Sequence, residues 1–128
     1  MTGVVPLEFA ATVVGGGPAT RADDGFSGYL FGLAEQRGGP GPSLVVQRAD
    51  EQVPEWQPYC LVWGDQEGTT YGGVRSARVT EGEVSFELLA HNAAELGTPT
   101  RFRIAFPVPM TAQVRLGLVR TLGAELVR

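Results

Sequence analysis

Apolar residues in this chain recur at every second position in several separate stretches, and helical spacing appears only in its second half. The cleanest alternation is Val84-Ser85-Phe86-Glu87-Leu88, the pattern of a strand with one face on a core and the other in water. Arg101-Phe102-Arg103-Ile104-Ala105-Phe106 repeats it, with Phe102, Ile104 and Phe106 inward and both arginines outward. Leu7–Val14 reads as a first strand with Leu7, Phe9, Ala11 and Val13 on one face, ended by Gly15-Gly16-Gly17-Pro18. That glycine cluster lacks the Lys-Ser/Thr of a phosphate loop and reads as a flexible connection. Phe26–Leu33 is a second strand whose alternate glycines allow close approach. Gly38–Pro42 forbids regular structure and closes a hairpin onto a third strand, Ser43–Arg48.

The stretch Tyr59–Val79 organises the rest. Tyr59-Cys60-Leu61-Val62-Trp63 has the composition of a buried strand, Gly64–Gly68 supplies turn chemistry, and Val74–Val79 returns with charge on its solvent side. A β-hairpin is expected, with Gly72-Gly73 as a bulge that curls the sheet over its core. Helical spacing appears twice. His91–Gly97 makes one or two turns, stopped by Gly97 and Pro99. Thr111, as N-cap, opens a helix to the C-terminus with a stripe of Val114, Leu118, Val119, Leu122 and Leu126. Arg120 and Thr121 fall opposite that stripe, and Arg115 lies within it and must snorkel from its edge. The fold predicted is α+β and mainly β. It is a curled antiparallel sheet of six or seven strands with a C-terminal helix packed on one face, a small β-barrel being the alternative. Residues 1–128 form one domain.

Composition narrows the setting. The single Cys excludes an internal disulfide and the single His excludes a His-rich metal site, so a reducing compartment is expected. No run of 18 apolar residues spans a membrane, and Glu8 interrupts an N-terminus without a basic region, so no signal peptide is expected. The cytoplasm is the expected location.

Charge changes the picture more than its net of −4 suggests. All ten basic residues are arginine. Residues 1–74 hold three arginines against nine acids, whereas residues 75–128 hold seven against five. Between Arg48 and Arg75 stand five acids and no base: Asp50, Glu51, Glu55, Asp65 and Glu67. That sign is wrong for nucleic acid and suits a basic partner. Trp56, in a loop bracketed by Pro54 and Pro58, has the make-up of an interface anchor. The candidate partner-binding residues are therefore Asp50, Glu51, Glu55, Trp56, Asp65 and Glu67.

Catalytic chemistry is sparse. His91 would need a nucleophile and an orienting carboxylate around it, and Cys60 lies mid-strand among apolar neighbours as a buried thiol. Asp23-Asp24-Gly25 reads as a turn rather than a cation site. Glu81, Glu83 and Glu87 read as solvated charge. Tyr59, Trp63 and Tyr71 read first as packing, and a pocket lined by them would support a rival function, a small ligand-binding barrel. No catalytic, cofactor or metal residues are assigned.

The order DDGF (Asp23–Phe26), SLVVQRADEQ (Ser43–Gln52), YCLVWGDQEGTTYGGV (Tyr59–Val74), AAELG (Ala93–Gly97) and a closing amphipathic helix resembles the tenth numbered family of immunity proteins from bacterial polymorphic toxin systems. The resemblance runs over about residues 23–126. Val53–Pro58 and the turn at 38–42 depart from the family pattern. What the resemblance implies is a mostly β cytosolic protein that binds and neutralises a toxin domain and carries no catalytic residues. A basic toxin, such as a nuclease, would complement the acidic 50–67 region.

Overall fold

In the computed structural model the described residues are 5–20, 27–37, 41–50, 59–64 and 68–128. Among them are nine strands, two α-helices and one 3-10 turn. The strands are β1 (Leu7–Ala10), β2 (Val13–Thr20), β3 (Ser27–Ala34), β4 (Ser43–Ala49), β5 (Cys60–Trp63), β6 (Gly68–Tyr71), β7 (Val74–Thr80), β8 (Glu83–Leu88) and β9 (Arg101–Ala105). Helix α1 (Ala90–Leu96) precedes β9, and α2 (Thr111–Leu122) follows a 3-10 turn at Val108–Met110. The strands form two open sheets, β1-β9-β8-β7 and β2-β3-β4-β5-β6, and neither closes into a barrel. All neighbours are antiparallel except β1 and β9.

The mainly β fold with a C-terminal helix agrees with the expectation, but the chain divides its strands differently at two corners. Leu7–Val14 is not one strand. Ala11 N–H bonds to the Ala105 carbonyl of β9, and Thr12 N–H bonds to the Ala34 carbonyl of β3, so the chain changes sheets there. Gly15-Gly16-Gly17-Pro18 is the body of β2, not a flexible loop. Its Pro18 lacks an N–H, which an edge strand tolerates.

The second corner corrects the organising hairpin. β5 pairs with Gly68–Tyr71, and Val74–Thr80 belongs to the other sheet. Gly72 and Gly73 are the crossing between sheets, with φ of 72° and 90°, a pair of left-handed residues that only glycine adopts cheaply. A true β-bulge follows directly, between Val74 and Ser76.

A polar clamp holds this corner. The Tyr59 carbonyl accepts the Gly72 N–H at 2.8 Å, and the buried Tyr59 hydroxyl accepts the Val74 N–H at 2.9 Å. Buried Asn92 of α1 donates to Thr70 Oγ1 at 2.9 Å and to the Tyr71 carbonyl at 3.2 Å. A Cβ on Gly73 would sit 2.0 Å from Asn92 Cγ, and one on Gly68 would strike the Leu96 carbonyl. The Tyr-Gly-Gly and AAELG signatures are thus two halves of one joint.

The inner faces of the sheets share a core. Trp63 of β5 reaches across to Phe9 and Phe102, with ring centroids 6.0 and 5.5 Å away. Helix α2 packs against the β2, β3 and β4 side of this core and against β7. Val114, Leu118 and Leu122 are buried as predicted, but Thr121 is buried too, its hydroxyl donating to the Gly117 carbonyl at 2.9 Å. The buried stripe is therefore rotated toward Gly117 and Thr121, leaving Val119 at its margin. Gly117 is the reason the helix sits so close, since a Cβ there would lie 2.1 Å from the Phe31 ring.

Thr111 is the first helical residue rather than the cap. Its hydroxyl donates to the Val108 carbonyl and accepts the Gly82 N–H. The helix stops at Leu122, and Leu126–Arg128 runs beside β7, where Ala77 and Val79 N–H groups bond to its carbonyls. That tail covers an edge otherwise open to mispairing. Arg115 reaches out to the Val79 and Arg128 carbonyls, fastening helix to tail.

Candidate functional site

Of the six candidate partner-binding residues, Asp50 alone lies among the described residues; Glu51, Glu55, Trp56, Asp65 and Glu67 fall outside them. Asp50 is exposed at the end of β4, where its carboxylate accepts the Ser27 hydroxyl at 2.6 Å and its N–H bonds to the Ser27 carbonyl. It borders a shallow depression that Arg48, Arg120 and Tyr29 also line. Arg48 Nε donates to the Thr121 carbonyl at 2.8 Å, a cation on the last turn of α2 where the helix dipole favours one. Arg120 lies over the Tyr29 ring, 5.6 Å from its centroid. Two arginines thus stand near the first carboxylate of the acidic stretch.

The register of the five-stranded sheet exposes a face the sequence reading did not single out. Across it run the rows Gly15-Gly32-Val45-Val62-Thr69 and Gly17-Leu30-Gln47-Cys60-Tyr71. No described position in these rows is charged. The alternate glycines of β2 and β3 keep the face flat, and the signal for it was the absence of outward charge through these strands. Cys60 belongs to this face yet is only 3% exposed.

The outer face of the four-stranded sheet is the reverse. Its middle row is Arg78-Ser85-Arg103-Glu8, flanked by Ser76-Glu87-Arg101. The bulge turns Arg75 outward as well, beside Ser76, so two consecutive residues of β7 face solvent between buried Val74 and Ala77. Arg75 and Arg101 both approach Glu87, at 3.4 and 3.8 Å, and Arg103 approaches Glu83 and Glu8 at 3.7 and 3.9 Å. Glu83 and Glu87 are therefore paired across strands rather than merely solvated.

The residues weighed for chemistry do not assemble. His91 is 80% exposed on α1 and lies 3.7 Å from Glu95, one helical turn on, while Glu95 also accepts the Thr70 hydroxyl. Helix α1 packs on the side of β6 that carries Gly68 and Thr70, whereas Cys60 faces the opposite side of the sheet. Tyr59 and Trp63 point into the core and Tyr71 points outward, so the three share no pocket. Burial pushes the Tyr59 hydroxyl above its ordinary value, against smaller opposing pulls from the Val74 N–H and the Arg48 charge. Among the described residues no group of three or more His, Cys, Asp or Glu side chains is placed to hold a metal, and no helix is long and apolar enough to cross a membrane.

These features define a small two-sheet β protein with a charged outer face on one sheet and an uncharged outer face on the other. The family model of Immunity protein 10 matches residues 18–114, and the chain belongs to that family. No curated protein and no solved structure matches the chain.

Proposed function

We propose that this protein is a cytosolic immunity protein that binds a cognate toxin domain and neutralises it without catalysis of its own. Membership of the Immunity protein 10 family carries this reading. The toxin domain it fits is a basic one, such as a nuclease. Five carboxylates without an intervening base attract such a surface, and Trp56 supplies an aromatic anchor among them. The acidic connections enter and leave β5, whose outward side chains belong to the uncharged rows. Uncharged surface is cheap to desolvate, which suits the centre of a contact with a charged rim.

The test uses the cognate toxin domain, with association and dissociation followed by stopped flow at two salt concentrations. Neutralising Asp50, Glu51 and Glu55 together should lower the on-rate at low salt more than it raises the off-rate. Trp56→Ala should speed dissociation by an amount worth about 2 kcal/mol or more. Equal on-rates for wild type and the neutralised variant would remove the acidic stretch from the encounter, and unchanged dissociation in Trp56→Ala would move the interface elsewhere.

A further inference from the structure

We infer that the outer face of the four-stranded sheet is a second binding site, opposite in sign to the acidic stretch, which takes a carboxylate side chain of a partner protein between Arg78 and Arg103. The inference does not depend on which toxin the protein neutralises. It accounts for a feature the toxin reading leaves unused: the excess of arginine over acid in residues 75–128.

The geometry comes from register. Arg78 and Arg103 both face Ser85, one from each neighbouring strand, so their Cα atoms stand two strand spacings apart, about 9–10 Å. Ser85 has the shortest polar side chain that strand position can offer, and Ser76 is the next small residue beside it. The result is an open depression of about 370 Å³ lined by Ser76, Ser85, Arg78, Arg101, Arg103 and Glu87, among others. A carboxylate lowered into it meets a guanidinium on each side and hydroxyl donors beneath. Planar guanidinium forks match that geometry bidentately, which an ammonium cannot do.

Ion pairing within the face leaves Arg78 unmatched among the described residues and Arg103 in two long contacts only. Glu87 is already approached by Arg75 and Arg101, and the bulge is what brings Arg75 to it. Arg103 is held only loosely, at 3.7 and 3.9 Å, far longer than the roughly 2.7–2.9 Å of a strong charge-assisted bond. Arg78 has no acidic partner among the described residues and is exposed. Three glutamates interspersed among four arginines repel a polyanion, and the chain as a whole is negative. An isolated carboxylate on a protein surface fits this mixed lattice better than a phosphodiester backbone does.

The probe is an end-blocked tetrapeptide, acetyl-Gly-Glu-Gly-Gly-amide, whose single carboxylate is the glutamate side chain, titrated into the full chain at low salt and followed by amide and arginine Nε NMR signals. Inorganic phosphate and a ten-nucleotide single-stranded DNA serve as parallel arms. The single-glutamate peptide should move the signals of Arg78, Ser85 and Arg103 first. Arg78→Ala and Arg103→Ala should each weaken it about fivefold, the scale of one exposed ion pair. Glu83→Gln, which frees Arg103 of a competitor, should strengthen it. Arg37→Ala, an exposed arginine of the other sheet's end, should change nothing. Both alanine variants remove side chains more than half exposed or without a partner, so unchanged amide spectra elsewhere will report an intact fold. Signal changes spread evenly over all arginines, or wild-type affinity in Arg78→Ala, would overturn the site. Tighter binding of the oligonucleotide or of phosphate than of the single-glutamate peptide would overturn the carboxylate assignment.

Discussion

The outer face of the β1-β9-β8-β7 sheet carries four arginines and three glutamates, whereas the outward rows of the β2-β3-β4-β5-β6 sheet carry no charge among the described residues. Beneath them the two sheets are alike: each turns large apolar side chains onto one shared core, and Trp63 links them. The difference lies in what it costs to cover each face. Covering the charged face strips water from ion pairs and succeeds only with a partner that matches them, so it selects. Covering the uncharged face forfeits little hydration and rewards any well-shaped partner. Fold stability is built on the inner faces, and recognition is divided between the outer ones.

That division can be broken first from inside. Leu122 is 1% exposed on α2, on the inner side of the uncharged sheet. Leu122→Ala should cost about 2–5 kcal/mol by denaturant unfolding, through lost transfer energy and the cavity left behind. Hydrogen exchange should quicken in β3 and β4 more than in β8 and β9, and equal acceleration in both sheets would show that they do not answer separately to the helix. Gly73→Ala strikes the joint between the sheets. Its φ of 90° and the clash with Asn92 predict a loss of about 1–3 kcal/mol, while a wild-type unfolding midpoint would mean that the corner relaxes freely.

A smaller effect should follow from pH. The folded state holds the Tyr59 proton more tightly than the unfolded state, whose hydroxyl has the ordinary value of 10.0. The stability this group contributes is therefore complete below about pH 10 and is lost as pH rises from there through the higher folded value. Tyr59→Phe should flatten that loss, at the expense of the hydrogen bond to Val74 N–H. The smallest effect belongs to the charged face. Glu87→Gln should stay within about 0.5 kcal/mol of wild type, because its two ion pairs are exposed and longer than 3.3 Å. A large loss there would mean that the lattice supports the fold rather than recognition.

Alternation over Val84–Leu88 and Arg101–Phe106 settled β8, β9 and their inward faces from residue types alone, because a period of two leaves one choice of face. The α2 stripe was equally legible at Leu118 and Leu122. The same logic misplaced Thr121, since a hydroxyl that donates to the carbonyl four residues back can be buried without cost, and sequence polarity does not reveal it. The candidate site was legible only as charge: Asp50 directly follows β4, in a depression that Arg48 of β4 and Arg120 of α2 also line, and sequence order alone does not bring Arg120 there.

What the sequence determined by itself was therefore local: periodicity, the glycines that must turn, and the sign of each stretch. The β3–β4 hairpin was legible as well, but which sheet Val74–Thr80 joins was decided by tertiary structure. Val74–Thr80 alternates as well for one sheet as for another, and two left-handed glycines redirect it only because Tyr59 and Asn92 wait at the corner to satisfy the backbone there. The arginine pair around Ser85 has the same origin. Arg78 and Arg103 are 25 residues apart in the chain. They become neighbours across one serine because hydrogen bonding between strands fixes register, a constraint that no single segment contains.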